Sequence, residues 1–383
     1  MAKPVIDLFL DSGAYSAWSH GETLPVRDYI KFVQDTKHAL WAYVNMDVIP
    51  GGIDRTRTRD EVEASAAASY RNLQIMKDAG LSPVPVFHQG EDFSWLDKML
   101  RDGEKFIGIS SAKNQPMPVQ DAWLDKFFNV ITDDEGRPLV KVHGFGVAHT
   151  LALKRHPYYS IDSAGWRIAA AYGKMYVPVL KNGTFDYLAR PELISMSGNY
   201  MDSVHAQTRQ IEQSHFNGPS HREVMQKFLQ EEVKSNLGGA RYSDRIRYRA
   251  LAVFYQRVSE AIRNIRFVDR GSGFMMKSER ECHTYIQRHR KPVKFDHLRF
   301  IFSSAYDADC CAALLEADAT NHLLSYYEMR KWPDRIIGYA MEGKIENQRP
   351  PTGVKRDWKN RRYLAHRGRV LARMALEAER EAR

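Results

Sequence analysis

From Val5 to about Asp162, short apolar runs alternate with longer polar stretches that permit helix. The runs are Ile6 to Leu10, Trp41 to Asp47, Pro83 to His88, Lys105 to Ile109, Leu139 to Val142 and Tyr158 to Ile161. Between them lie candidate helices. One spans Asp60 to Ala79, rich in Ala, with Gly80 placed as a C-cap. Strands alternating with helices predict a parallel sheet with helical crossovers. After Tyr176-Val177-Pro178 the pattern changes. Ser195 to Ser220 reads as a polar loop region, and helical periodicity returns from His221 to about Ile265. Strand signals reappear at Leu298 to Phe302 and at His322 to Tyr327, separated by a helix-like Ala308 to Ala317.

The chemistry gathers where apolar runs end. Leu8-Phe9-Leu10 stops at Asp11-Ser12-Gly13, Tyr158 to Ile161 stops at Asp162-Ser163, and Ala42 to Met46 stops at Asp47. In a parallel barrel the reactive groups come from the C-terminal ends of several strands. One such Asp alone is as readily a helix cap. Three together point to a carboxylate-based active site. Glycines mark the same ends, at Gly13, Gly90, Gly108, Gly144 and Gly146. Glycine lets a ligand approach the backbone, and turn chemistry explains any single one equally well.

Composition narrows the classes. At 383 residues the chain suits one large domain with insertions, or two domains. No apolar run reaches the roughly 18 residues of a membrane span, so no membrane partner is expected. The start lacks a signal-peptide core, and three cysteines make no disulfide framework, so a reducing cytoplasm is the expected location. The formal charge of +9 suggests a polyanionic partner. Basic residues cluster between Arg241 and Arg266, and the tail from Lys344 to Arg383 holds twelve Lys/Arg against five acids. Such runs serve either as solvated faces or as phosphate contacts. Arg167, Lys174, Arg245 and Arg249 are the candidate contacts to a nucleic-acid backbone.

Six motifs occur in order over residues 8 to about 178: Asp11-Ser12-Gly13-Ala14-Tyr15, Asn45-Met46-Asp47, Phe87-His88-Gln89-Gly90, Gly108-Ile109-Ser110-Ser111, His143-Gly144-Phe145-Gly146-Val147 and Ser160-Ile161-Asp162-Ser163. As a set they resemble the tRNA-guanine transglycosylase superfamily, most closely its phage branch of DNA-guanine transglycosylases. The resemblance implies a TIM-type (β/α)8 barrel that exchanges guanine for a 7-deazaguanine without cutting the strand. It puts the nucleophile at Asp162 and the proton-handling acid at Asp11. It implies base-binding roles for Ser12, Tyr15, Asp47, Gln89, Gly108, Ser110 and Gly146. DNA and a free 7-deazaguanine base are the implied partners, in the cytoplasm of an infected bacterial host if the gene is a phage's. The residue types suit that chemistry: two carboxylates serve an oxocarbenium-like centre, and the target base must leave its stack. The family's zinc motif is missing. Cys282, Cys310 and Cys311 with His322 are the residues left to build a zinc site, and incidental buried cysteines are the commoner case. No cofactor is expected.

The family also has two strands before its Asp-Ser-Gly motif, whereas here the chain begins at that motif. The late strand signals therefore predict a circularly permuted barrel. Residues 1–181 would carry the catalytic strands, 182–296 a mainly helical basic insertion, 297–343 the remaining strands and 344–383 a basic helical tail. Ser325 or Tyr326 would then reach the mouth near Asp11 and Asp162. Three alternatives accompany this reading: a tRNA-guanine transglycosylase, a non-catalytic nucleic-acid-binding barrel and a glycoside hydrolase using the same two acids. The basic charge argues against the last.

Overall fold

The computed structural model describes residues 4–51, 57–111, 115–133, 138–147, 150–195, 221–234, 244–263, 266–268, 290–294, 298–303 and 308–343. The chain divides into a unit of Met1–Ile345 and a unit of Glu346–Arg383, and the described residues all belong to the first. The proposed tail contacts and Cys282 lie outside them.

Six strands follow the early apolar runs: β1 (Asp7–Asp11), β2 (Leu40–Tyr43), β3 (Val86–His88), β4 (Phe106–Ser110), β5 (Lys141–Phe145) and β6 (Ser160–Ser163). Then come β7 (Lys174–Val177), β8 (Val179–Lys181), β9 (Thr184–Asp186), β10 (Glu192–Ser195), β11 (Arg266–Val268), β12 (Arg290–Lys294), β13 (Arg299–Ser303) and β14 (Asn321–Ser325). Eight of these form one curled, parallel, TIM-like sheet in the order β2-β1-β14-β13-β6-β5-β4-β3. Both late signals are thus strands of the sheet that holds Asp11. The second is shorter than expected, because the chain turns into a helix at Tyr326. The ladders leave β2 and β3 at the edges, and a single parallel bridge, Val44 to Val84, links the chain just past β2 to the chain just before β3.

The period-2 alternation of strands sorts their side chains into two cores. Leu8 and Leu10 pack with Tyr29, Val33 and Ile336, and Ile107, Val142 and Ile161 with Phe127 and Trp166, between sheet and helices. Phe9, Val86, Ile301 and Leu323 fill the inside of the curl with Val44 and Val84. One layer on, at the C-terminal ends, that inner face changes to Asp11, His88, Ser110, Asp162, Ser303 and Ser325. The opposite end is closed by Arg299, which pairs with Asp7 at 3.6 Å and lies over the Trp41 ring.

The 182–296 segment is less purely helical than its pattern predicts. Besides the helices His221–Glu231 and Asp244–Arg263, it contains part of the β8–β9 hairpin, β10 paired antiparallel to β7, and the β11–β12 pair. The helix Asp244–Arg263 belongs to the layer that covers the sheet. Its Leu251, Phe254, Tyr255 and Val258 are buried, and the Tyr255 ring stacks on Phe300 of β13 at 4.2 Å. Two of its arginines are held by acids, Arg245 by Glu316 and Arg257 by Glu232 and Glu260. The Arg247 Nε–H donates to the Ala170 carbonyl. Periodicity and charge marked this helix as a basic surface element; packing uses its apolar face and ties these cations to partners on the same fold. No helix among the described residues is long and apolar enough to cross a membrane.

Candidate active site

Asp11 ends β1 and sits beside Ser325 of β14 in the parallel register. The chain must then turn at once into helix α1 (Ala14–Ser19), and Gly13 makes that turn with φ of +72°. A Cβ at position 13 would lie 2.4 Å from Tyr327 Cβ and 2.6 Å from Ser325 Oγ. Gly13→Ala is therefore expected to cost about 2–3 kcal/mol or more, through a left-handed backbone and a clash that cannot relax on both sides. A urea-unfolding midpoint within experimental error of the wild type would show that the turn is not so constrained.

The half-buried Asp11 carboxyl is pushed up to a pKa of about 7, first by burial and then by the charges of Asp47 and Asp162, with the Gly13 N–H pulling the other way. It is a carboxylic acid able to give and take a proton near neutrality. The same interactions show that Asp11, Asp47 and Asp162 face one mouth.

Asp47 reaches that mouth from a coil beyond β2. The coil is pinned from the helix Arg59–Asp78: Ser69 Oγ accepts from the Val48 N–H, the Ser69 carbonyl accepts from Asn45 Nδ2, and Asn72 Nδ2 donates to the Met46 carbonyl. The buried Asp47 carboxylate then accepts from Ser12 Oγ at 2.8 Å through one oxygen and lies 3.0 Å from His88 Nε2 through the other. On its far side, His88 Nδ1 lies 3.0 Å from Glu91 Oε1, and Glu91 Oε2 accepts the His88 backbone N–H at 3.1 Å. Burial opposes a charge on His88, but the hydrogen bonds to Asp47 and Glu91 outweigh it and carry the pKa up to about 10. A pKa raised on folding contributes stability that is complete below about pH 6.5 and is lost as pH rises through about 10. Unfolding midpoints are accordingly expected to fall between pH 7 and 10, and to fall less in Glu91→Gln. Equal slopes in the two proteins would refute the charge assigned to His88.

Asp162 projects from β6, next to Ile301 of β13. One of its oxygens, Oδ1, accepts the Gly146 N–H at 3.0 Å and lies 3.4 Å from His143 Nε2. His143 Nδ1 lies 2.9 Å from Ser160 Oγ, with the Phe9 and Phe145 rings edge-on to the imidazole. Burial lowers the pKa of His143, against the pull of Asp162, so the imidazole is neutral at neutral pH.

The other expected residues divide. Ser12 is spent on Asp47 rather than presented to a ligand. Tyr15 is half exposed on the first turn of α1, with its ring 5.6 Å from Trp18. Gln89 is half-buried, and its backbone N–H donates to the Ser110 carbonyl. Gly108 is not an open approach: a Cβ there would meet the Phe145 ring at 2.5 Å, so the glycine makes room for a side chain rather than a base. Gly146 meets Asp162 through its N–H. Arg167 and Lys174 follow β6 on the next helix and on β7, whereas Arg245 is already paired with Glu316. The Nε of Arg249 is buried without a hydrogen-bond partner among the described residues. Ser325 arrives beside Asp11, and its Oγ is likewise buried without a partner there. Tyr326 instead turns away, packing on Tyr29 and Phe32 in the helix layer.

Cys310 and Cys311 are buried in different parts of the core. His322 engages Tyr339 and the Ala319 carbonyl, with Cys311 Sγ 3.3 Å from the same Tyr339 hydroxyl. Among the described residues no group of three or more His, Cys, Asp or Glu could hold a metal ion.

His88, Glu91, His143 and Ser160 were not picked out as site residues from the sequence. His88 stands two residues after Val86, and Ser160 two before Asp162, so strand alternation places each on the inner face. Glu91 carries no such signal. No family model matches the chain, and neither a curated protein nor a solved structure matches it.

Proposed function

We propose that the protein is a DNA-guanine transglycosylase that exchanges guanine in DNA for a 7-deazaguanine derivative. The observation that carries this is the pairing of a proton-ready Asp11 with a carboxylate, Asp162, held at the same mouth. Asp162 attacks C1′ of the target nucleotide as the C1′–N9 bond breaks, and the bonding electrons leave with the purine. Asp11 gives that purine a proton, then as carboxylate takes one from the incoming base, whose ring nitrogen attacks C1′ and frees Asp162. The sugar stays attached to protein or base throughout, so the strand is never left abasic. Asp47 and Gln89 accept hydrogen bonds from the purine edge, and Tyr15 offers its flat face to the ring. The target base must be flipped out or lie in a single strand.

The same reading takes the sheet as a closed (β/α)8 barrel, supported by the Val44–Val84 bridge between its edges. It takes β13 and β14, which lie between β6 and β1, as the two strands that the transglycosylases carry ahead of their Asp-Ser-Gly motif, so the chain is permuted relative to them.

The deciding experiment is mass spectrometry of nucleosides from DNA and from tRNA of cells co-expressing the protein with a deazaguanine pathway. A 7-deazaguanine nucleoside in DNA alone is the expected result. Modification confined to tRNA would move the substrate, and its absence from both would overturn the proposal.

A further inference from the structure

The mouth contains the same arrangement twice. Asp47, His88 and Glu91 form one chain of side chains, and Asp162, His143 and Ser160 the other. In each, a histidine stands behind an aspartate and a third residue stands behind the histidine. Only the third residue differs in kind. We propose that this third residue decides the charge of the imidazole, Glu91 making His88 a fixed cation that locks Asp47 for recognition and Ser160 leaving His143 a neutral N–H donor that aims Asp162 for attack.

The geometry dictates the assignment. His88 faces a carboxylate at each nitrogen, Asp47 at 3.0 Å and Glu91 at 3.0 Å. Carboxylates only accept, so both ring nitrogens must carry protons to use both contacts. Glu91 also takes the His88 backbone N–H, which fixes the ring and its clamp as one unit. Asp47 is held by Ser12 on one oxygen and by the imidazolium on the other, so it cannot swing.

His143 faces one carboxylate and one hydroxyl. A hydroxyl can donate, so Ser160 Oγ–H can satisfy an unprotonated Nδ1 and leave the proton on Nε2, toward Asp162. The Phe9 and Phe145 rings enclose the imidazole, and the burial they share in is what keeps it uncharged. Asp162 Oδ1 then accepts the Gly146 N–H and faces the neutral His143 Nε2–H at 3.4 Å, a contact too long and off-line for a full hydrogen bond in the resting site, and Oδ2 is left as the attacking oxygen. A cationic neighbour would hold electron density on the carboxylate and weaken it as a nucleophile. A neutral one orients it without that loss.

The roles given to Asp47 and Asp162 rest on the base-exchange reading, whereas the two imidazole states do not. The test is imidazole ¹⁵N NMR of histidine-labelled full-length protein at pH 8, with Glu91→Gln and His143→Gln to assign the signals. His88 is expected with both nitrogens protonated, and His143 as the neutral tautomer protonated at Nε2. Glu91→Gln is expected to lower the His88 titration midpoint by at least one pH unit. Should either variant fail to fold, the wild-type spectrum still decides, because among the described residues only His88 is buried with a carboxylate at each ring nitrogen. A neutral His88, or a His143 that is charged or protonated at Nδ1, overturns the inference. Kinetics then separate the roles: Glu91→Gln raises KM for the incoming base about tenfold or more, while His143→Gln lowers kcat with that KM little changed. The reverse pattern overturns the division of work. Should the wild-type protein exchange no base at all, the two imidazole states stand or fall on the spectra alone.

Discussion

Asp162→Ala is expected to abolish base exchange, a fall on the order of 10⁴-fold or more, as for loss of a covalent nucleophile elsewhere. The variant removes the oxygen that attacks C1′ together with the acceptor for Gly146 and the neighbour of His143. Asp162→Asn is the sharper experiment. Its amide oxygen can still accept the Gly146 N–H, so the loop after β5 keeps its anchor while the nucleophile is gone. Both variants should bind DNA with nearly wild-type affinity and give no protein–DNA adduct on denaturing gels. Near-normal exchange by either one would remove Asp162 from the reaction, and with it the reading of the mouth as a transglycosylase site.

Asp11→Asn is expected to be as inactive, for a different reason, and to be the more stable protein above neutrality. An amide cannot carry a proton between the leaving and the incoming base. The stability effect follows from the sign of the shift. Asp11 is raised from 3.8 to about 7, so the folded state holds its proton more tightly than the unfolded chain does. Its contribution is complete below about pH 4 and is lost as pH rises through about 7. At about 1.4 kcal/mol per unit, the ionised carboxylate costs the fold up to about 4 kcal/mol at pH 8. The asparagine variant escapes that cost, so its melting temperature should exceed the wild type's at pH 8 and approach it at pH 5. The same carboxyl should set the basic limb of activity, because it must hold a proton to give to the leaving purine, so exchange should fall as pH rises through about 7. A variant less stable than the wild type at pH 8 would mean that the carboxylate is held by a partner, not merely enclosed.

The two strand-terminal aspartates were readable because strands obey a local rule. An apolar run interrupted by Asp-Ser has one way to stay buried and one place to deliver its acid, and Asp11 and Asp162 both follow it. The same locality explains the helix Arg59–Asp78, whose start is written in the Thr58–Glu61 capping box and whose C-cap is Ala79, one residue before the expected Gly80, which follows it in the left-handed conformation with φ of +76°. Asp47 was legible as an acid after an apolar run, but its position is not a strand's; Ser69 and Asn72, more than twenty residues away, hold it there.

Alternation and turn chemistry in the sequence determined the eight strands of the main sheet, several of the helices and which acids reach the ends, since these depend on neighbours within one turn or one pleat. What tertiary structure alone decided was company. Strand order brings Ser325, more than three hundred residues on, beside Asp11, and the curl of the sheet turns Gly108 from an open backbone into a seat for Phe145. Packing converted a basic helix into part of the core layer, because its buried leucine, phenylalanine and tyrosine face offset the cost of holding arginines against Glu316, Glu232 and Glu260. Charge was the last thing decided. Whether His88 or His143 carries a proton depends on which side chain arrives at the far nitrogen across a buried site, and that is set by contacts in space, which no spacing along the chain encodes.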